Sequence, residues 1–293
     1  MSKKVSIIIT TCDREINILK EAIDSVVNQS YKNIEVIVVN DSSNRNSELD
    51  IIRLLNQYDK KITYFYNEGN HGANYARMLG FKHSDGQYIA FLDDDDFWDL
   101  KRLEIMIPYF NDKVRLLYSD IVIFNKKTRW TSIKKDIDDD MQFNTILKEN
   151  FLGGFSNVII ERSAFEEVEA LDVCMPSYQD LDIWIRILYK YNAKHVNLEL
   201  CYYRISDDSI SLNSKKKISG LMKILEKYES FYDEKNIIDK LRGEYINSVK
   251  YSWKENQKII GKSIRKYKNN SFYLFKLKLI GILKKYLSKI VKR

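Results

Sequence analysis

Two hydrophobic periods alternate along the first 120 residues of the chain. Short runs of β-branched and aliphatic residues are typical of buried parallel strands, and apolar residues three and four positions apart are typical of amphipathic helices. The predicted strands are Val5–Ile9, Ile34–Val39, Ile62–Tyr66 and Tyr88–Leu92, and the predicted helices are Glu15–Gln29, Glu48–Tyr58 and Asn74–His83. Strands and helices that alternate over short connections predict an α/β fold with a doubly wound, mostly parallel sheet flanked by helices.

The pattern is less regular after this point. Residues 113–212 contain two strand-like stretches, Arg115–Phe124 and Asn157–Ile160, and one helical stretch, Asp180–Tyr191. From about Ser214 the chain is helical, polar and rich in lysine. We therefore predict one domain over residues 1–212, divided near residue 112, and a helical, lysine-rich region over residues 213–293.

Charge follows the same division. The chain has a net charge of +7, but residues 213–293 carry 22 Lys/Arg and 7 Asp/Glu, whereas residues 1–212 carry 26 and 34. An acidic body with a basic tail does not fit a uniformly basic nucleic-acid binder. A hydrophobic content of 44% and a charged content of 30% exclude wholesale disorder.

Cysteine usage and hydropathy indicate the compartment. The three cysteines are far apart and include no CxxC pair, which argues against disulfides or a thiolate zinc site and favours a reducing cytosol. No run of about 18 apolar residues predicts a transmembrane helix. Only seven residues separate Lys4 from Cys12, too few for a secretory signal. We expect a soluble or peripheral protein.

Polar residues cluster directly after three of the predicted strands, at Thr10–Arg14, Asn40–Ser43 and Asp93–Asp96. Ligands of doubly wound sheets bind at the carboxyl ends of strands, so we expect these clusters to meet at one crevice. The chain has neither GxGxxG nor GxxxxGK[ST], and neither a dinucleotide fingerprint nor a P-loop is predicted.

The quartet Asp93–Asp96 is the strongest chemical signal. Clustered carboxylates are hard oxygen ligands that suit Mg²⁺ or Mn²⁺ and can bridge a metal to a diphosphate. The alternative is a solvated acidic turn. The quartet lies between a buried strand and Phe97-Trp98, where four mutually repelling charges call for a cation, and this favours the metal.

Other candidates have two readings each. Asp41 can accept hydrogen bonds from a base or ribose, or form an Asx-turn or helix cap. Arg77 can face a phosphate or pyrimidine, or lie on the surface. Asp180 and Asp182 can each cap a helix, or one of them can be a general base that deprotonates an acceptor hydroxyl.

Four motifs in order, over residues 1 to about 212, resemble family 2 glycosyltransferases of the GT-A fold, inverting enzymes that use nucleotide-sugars and in many cases build bacterial cell-envelope polysaccharides. The motifs are VSIIITTCDR at 5–14, VIVVNDSS at 36–43, GQYIAFLDDDDFW at 86–98 and QDLDIWIR at 179–186. The resemblance implies a nucleotide-binding half at about 1–112 and an acceptor half at about 113–212.

The resemblance also implies roles for individual residues. Thr10, Asp41 and Arg77 would surround the nucleoside. Asp93 would approach the ribose and Asp95 would hold Mn²⁺ or Mg²⁺ on the diphosphate, with Asp94 sharing one of these roles because the quartet leaves the register open. Asp180 would be the base. The chain departs from the family pattern at Asp13, Asn40, Met78, Gln179 and Ser206. Ser206 stands where many members have a histidine, which leaves the place of a third protein ligand to water.

The implied reaction is direct displacement with inversion, from a nucleotide-sugar donor, with UDP expected, to a glycan or lipid-linked acceptor. A sugar-nucleotide pyrophosphorylase would need glycine in Thr10–Arg14, which has none. A catalytically silent carbohydrate- or membrane-binding protein is the alternative from another class, and Asp93, Asp95 and Asp180 argue against it. No nucleic-acid partner is expected.

The basic tail suggests a location. After Glu255 the chain has no acidic residue and 12 Lys/Arg, interleaved with apolar residues from Phe272 to Ile290. Such a basic amphipathic helix lies on an anionic membrane surface, here the cytoplasmic face of the plasma membrane. The alternatives are packing on the acidic flank of the catalytic domain or a contact between identical chains in a homo-oligomer.

Overall fold

The computed structural model describes residues 3–59, 62–205, 214–250 and 254–267. The chain divides into two compact units, Met1–Cys174 with Gln179–Asp207 and Met175–Tyr178 with Asp208–Arg293. The membrane-binding helix predicted between Phe272 and Ile290 lies outside the described residues. None of the helices within the described ranges combines the length and the apolarity that a membrane crossing needs.

The first unit opens with strand–helix repeats close to the predicted positions. They are β1 (Val5–Thr11), α1 (Ile16–Val27), β2 (Ile34–Asn40), α2 (Arg45–Leu55), β3 (Ile62–Tyr66), α3 (Ala73–Lys82) and β4 (Tyr88–Asp93). Helix α2 begins before the predicted Glu48 because Asn44 caps it, its side-chain oxygen accepting the N–H of Asn46 at 3.1 Å.

The second half of this unit contains elements that the hydrophobic pattern did not predict, among them β5, β7 and β9. The elements of this half are, in order, β5 (Phe97–Trp98), α4 (Arg102–Met106), β6 (Val114–Phe124), β7 (Arg129–Ser132), α5 (Gln142–Lys148), β8 (Val158–Glu161), α6 (Arg162–Glu167), α7 (Gln179–Leu188) and β9 (Asn192–Arg204). Strands β6 and β8 and helix α7 correspond to the stretches predicted from the sequence. Helix α7 ends before the predicted Tyr191, because the chain must extend there to begin β9.

The described strands form one sheet of nine, in the order β3-β2-β1-β4-β8-β6-β9-β5, with β7 on β6. Strands β1 to β4 pair in parallel, as predicted, whereas β8, β7 and β5 add antiparallel pairs to the second half. Strand β6 runs parallel to β9. The predicted α/β sheet flanked by helices is confirmed, with a mixed second half.

Strand β1 lies at the centre of the parallel half and is buried along its whole length. Its end, Thr10, pairs with Val39 of β2 and with Asp93 of β4. The register therefore places the polar segments that follow these three strands side by side at the carboxyl edge of the sheet.

The second unit is helical in its described residues, with α8 (Ser214–Lys227), α9 (Glu234–Lys250) and α10 (Lys254–Tyr267). Several of its apolar residues are buried, among them Ile218, Leu221, Ile224, Leu241, Ile260 and Ile264. Gly220 permits close backbone contact, since a Cβ there would lie 2.6 Å from the carbonyl oxygen of Ser177.

Candidate active site

The loops after β1 and β2 are bound to each other. The hydroxyl of Ser42 donates to Oδ1 of Asp13 at 2.5 Å, and Sγ of Cys12 lies 3.6 Å from the carbonyl oxygen of Asp41. Asp13 is in the left-handed region, with a φ of 53°, which turns the chain sharply after β1. This turn brings Arg14 to the acidic residues after β4.

Asp41 is buried and organises the loop before α3. Its carboxylate accepts from the side chain of Asn67 at 2.6 Å and from the backbone N–H groups of His71 at 3.2 Å and Gly72 at 2.7 Å. It does not cap α2, which Asn44 caps. The predicted contact between Asp41 and a nucleoside stays a prediction, and the structure adds a role in shaping loop 67–72.

The quartet forms a tight turn, and it is contacted by Arg14, Arg204 and Arg77. Arg14 donates from Nε to Asp94 at 2.8 Å and from Nη2 to Asp95 at 3.1 Å. Arg204, at the end of β9, donates from its backbone N–H to Asp96 at 3.0 Å and from Nε to the carbonyl oxygen of Asp95 at 3.0 Å. Guanidinium groups thus supply part of the positive charge that four adjacent carboxylates require.

The pKa values of Asp94, Asp95 and Asp96 in the turn are raised. Burial raises the pKa of Asp95 to about 6, reinforced by the charge of Asp93 and opposed by Arg14. Burial also raises the pKa of Asp94, against Arg14, and raises that of Asp96 well above its usual value, with Asp93 and Asp95 adding to the shift. Each shift means that additional positive charge beside the turn would be stabilising.

Arg77 contacts the turn and acts on Asp180 through its charge. It is buried on α3, donates from Nη2 to Asp93 at 2.6 Å, and stacks over Phe155 with its guanidinium carbon 4.1 Å from the ring centre. Its charge opposes the rise in the pKa of Asp180. Arg77 is therefore a buried cation within the site, and the surface alternative for this residue is wrong.

Asp180 lies in the first turn of α7 and is only partly exposed. Its Oδ1 accepts the N–H of Leu181 at 2.8 Å, and its Oδ2 accepts the side-chain amide of Asn150 at 3.1 Å. Burial raises its pKa, and the Leu181 N–H and Arg77 oppose that rise. Asp182 is buried and paired with Arg186 at 2.7 Å, which makes it structural.

A short loop fixes Asn150. The side-chain oxygen of Asn150 accepts the N–H of Gly153 at 3.1 Å, and its amide donates to the Gly153 carbonyl at 3.2 Å. Trp184, one turn after Asp180 on α7, donates to the same carbonyl at 3.0 Å. Gly153 has a φ of +89°, which glycine adopts without strain.

The sequence motifs predict no individual role for four further residues, Arg14, Asn150, Tyr203 and Arg204. The sequence could have predicted that Arg14 lies near the carboxylates, because it ends the polar segment after β1. The other three belong to segments without a regular pattern, and only the tertiary structure brings them to the carboxylates.

The donor atoms near the turn suit a divalent cation in part. Carboxylate oxygens are the ligands that Mg²⁺ and Mn²⁺ prefer, and the raised pKa of Asp95 indicates a place for added positive charge. Among the described residues, no group of three or more His, Cys, Asp or Glu side chains is arranged to hold a metal ion. The carboxylates of the turn are therefore candidate ligands only, and the predicted Mn²⁺ or Mg²⁺ stays a prediction.

Comparison with known proteins identifies the family. The family model described as "Glycosyl transferase family 2" matches residues 6–169 of the chain. The chain belongs to glycosyl transferase family 2. This match includes the polar segments after β1, β2 and β4 and ends before α7.

Relatives of this family 2 chain include longer proteins. The chain spans about a quarter of the length of the first curated relatives that it matches. One of them is an uncharacterized glycosyltransferase of Rickettsia bellii, which is 35% identical over 58% of this chain and 25% of that protein. The chain is 30% identical to Escherichia coli WfaP, a UDP-Glc:alpha-D-GlcNAc-diphosphoundecaprenol beta-1,3-glucosyltransferase, over 70% of this chain and 78% of WfaP.

Solved structures confirm the GT-A fold of this family 2 chain. Residues 1–349 of S. aureus TarS, in complex with UDP-GlcNAc, match 76% of this chain and 66% of that one, with a TM-score of 0.60 and 16% identity. The mannosyltransferase PcManGT from Pyrobaculum calidifontis, in complex with GDP-Man and Mn²⁺, matches 99% of this chain and 88% of its own, with a TM-score of 0.59 and 13% identity.

Proposed function

We propose that the protein is an inverting glycosyltransferase of cell-surface polysaccharide synthesis, which moves a sugar from a nucleoside-diphosphate sugar, with UDP expected, to a hydroxyl of a glycan or lipid-linked acceptor. The observation that carries the proposal is the arrangement of Asp93, Arg77 and Asp180. One buried arginine contacts a carboxylate of the turn at the sheet edge, and its charge acts on a partly exposed carboxylate of α7.

The donor is proposed to bind at the ends of β1, β2 and β4. Thr10, Asp41 and Arg77 would surround the nucleoside, and Asp93 and Asp94 would contact the ribose side of the donor. Asp95 is the candidate ligand of Mn²⁺ or Mg²⁺, a cation that when bound neutralises charge on the leaving diphosphate. In support, PcManGT, with the same fold, is described with GDP-Man and Mn²⁺.

Asp180 is proposed to be the general base. Its carboxylate takes the proton from the acceptor hydroxyl, whose oxygen then attacks the anomeric carbon while the bond to the diphosphate breaks. A single displacement of this kind inverts the configuration at that carbon. Asn150 and the Leu181 N–H hold the carboxylate, and each oxygen keeps a lone pair for the acceptor.

The acceptor and location follow from the relatives and the tail. WfaP is named for an acceptor on diphosphoundecaprenol, a lipid carrier, and we propose a lipid-linked or glycan acceptor here. Residues 1–212 would form the catalytic domain, and the lysine-rich region at 213–293 would hold it at the cytoplasmic face of the plasma membrane. Full-length chain should sediment with anionic vesicles, and a chain ending near Ser271 should sediment less.

One experiment tests the proposed reaction. Purified protein is incubated with Mn²⁺, a lipid-linked acceptor mixture and a panel of UDP-, GDP- and dTDP-sugars, and nucleotide release is measured together with the anomeric configuration of the product. We expect release from one donor class and an inverted product, with neither in the Asp180→Asn variant. Donor binding without transfer to any acceptor would favour a silent binding protein instead.

A further inference from the structure

Three paired residues form an apolar row across β7, β6 and β9, with a partly buried Ile123 between two exposed aromatic residues. Ile123 pairs with Trp130 of antiparallel β7 and with Tyr203 of parallel β9, and paired residues of neighbouring strands point to the same face of a sheet. Trp130 is 45% exposed and Tyr203 is 38% exposed. We call Tyr203, Ile123 and Trp130 the aromatic row.

The preceding row on the same face is covered. It contains Ile121 and Cys201, which are buried. Cys201 lies 3.4 Å from the carbonyl oxygen of Ser156, and a Cβ on Gly153 would lie 3.0 Å from Cδ1 of Ile121. Gly153 and Ser156, which follow Asn150 in the chain, therefore cover this row. The aromatic row lies next to it on the same face.

Tyr203 is the end of the row beside the acidic turn, because the next residue, Arg204, contacts Asp96 and Asp95 at 3.0 Å. Partial burial raises the pKa of Tyr203 to about 12, and the charges of Asp96, Asp93, Asp95 and Asp180 add to the shift. Tyr203 thus lies within the field of both the acidic turn and the candidate base. From there the row extends over three strands, a span of roughly 10 Å between Tyr203 and Trp130.

We propose that the aromatic row is the acceptor subsite, on which the saccharide part of the acceptor stacks with its attacking hydroxyl directed toward Asp180. This inference rests on the proposed function. The C–H face of a sugar ring is apolar and its rim is polar, so an aromatic side chain that is half exposed can bury the face and leave the rim in water.

The row matches an extended saccharide better than a single ring. Its length is about that of a disaccharide, and its far end, Trp130, is separated from Tyr203 by the aliphatic side chain of Ile123. The sugar next to Asp180 would contact Tyr203, and the following sugar would contact Trp130. Trp130 would then affect acceptor binding without touching the donor.

The test separates acceptor binding from donor binding. Saturation-transfer NMR is recorded with full-length protein and a panel of methyl glycosides and disaccharides of glucose, galactose and N-acetylglucosamine, and calorimetry measures UDP-sugar binding with Mn²⁺. We expect a disaccharide to bind wild type, with an affinity lowered about five- to tenfold in Trp130→Ala. UDP-sugar affinity should be unchanged.

Conservative and matched variants complete the design. Trp130→Phe and Tyr203→Phe keep a ring and should retain most of the saccharide binding, whereas Tyr203→Ala should lose it. Tyr109 is 46% exposed and precedes β6 at the strand's other end, so Tyr109→Ala should behave as wild type. In turnover, Trp130→Ala should raise the acceptor KM and leave the donor KM unchanged.

The outcomes distinguish the inference from the function on which it rests. Wild type that binds no saccharide of the panel, or Trp130→Ala and Tyr203→Ala variants that bind it as wild type does, would overturn the aromatic row as acceptor subsite. In that case, donor binding and transfer by wild type would leave the proposed function standing. If wild type neither binds a donor nor transfers a sugar, the proposed function itself is overturned.

Discussion

The carboxylates of the acidic turn and the carboxylate of Asp180 are held in opposite ways. Asp94 and Asp95 contact the guanidinium group of Arg14, so their charge is met by a cation. Asp180 contacts an amide and a backbone N–H, both neutral, and Arg77 acts on it through its field, with no hydrogen bond between them in the described contacts. Burial raises the pKa at both places.

These two environments suit aspartate side chains to two different roles. Carboxylates that share one cation and repel one another attract further positive charge, which suits a metal–diphosphate site. A partly exposed carboxylate that neutral donors hold can accept a proton without breaking an ion pair, which suits a general base. Four predictions test this comparison.

The largest effect is expected at Asp95. Asp95→Ala, or an excess of EDTA with wild type, should abolish turnover, because a cation at the diphosphate contributes several kcal/mol to the transition state. Nucleotide release assays measure it, and calorimetry should show loss of Mn²⁺-dependent donor binding. Asp85→Ala, which removes an exposed carboxylate before the other end of β4, is the matched control. Full activity in EDTA would refute the metal assignment.

Asp180→Asn should lower kcat by about 10²–10⁴-fold, the usual contribution of a general base. Donor affinity should change little, because the base acts on the acceptor. Steady-state kinetics and donor calorimetry measure both quantities. Turnover close to that of wild type would make Asp180 a structural residue of α7.

The pH dependence should shift when Asn150 is changed. Because burial raises the pKa of Asp180, activity should be lost as pH falls through a value above the usual one for aspartate. Asn150→Ala removes a donor to the charged form and should move the acid limb of kcat/KM to higher pH, and Asn150→Asp should move it further. A uniform loss without a shift would mean that Asn150 only supports the loop.

The smallest effect is expected at Arg14. Arg14→Gln leaves the buried Asp94 and the partly buried Asp95 without this cation and should lower the free energy of unfolding by about 1–3 kcal/mol without metal. Added Mn²⁺ should then raise the melting temperature more in the variant than in wild type. Arg45→Gln, which breaks an exposed pair with Glu68, is the control and should change neither quantity. An equal Mn²⁺ effect in all three proteins would contradict the comparison.

Local sequence determined the parallel half of the sheet. Runs such as Val5–Ile9 and Tyr88–Leu92 are too apolar for any place but a buried strand, and the helices between them carry one apolar face. Parallel register then fixes which residues end side by side, so the meeting of Thr10 with Asp93 followed from the strand positions. The acidic turn could be located in the sequence for this reason.

The surroundings of Asp180 and of the acidic turn depend on long-range contacts. The contact of Asn150 with Asp180 joins residues 30 positions apart, and Arg204 reaches Asp95 and Asp96 over more than 100 positions. Strands β5, β7 and β9 are short or irregular in pattern, and their places depend on partners elsewhere in the chain. The sequence by itself thus determined the edge where carboxylates collect, because strand burial is a local property. The arginines, the amide and the aromatic rings near these carboxylates are brought there by contacts between residues far apart in the chain.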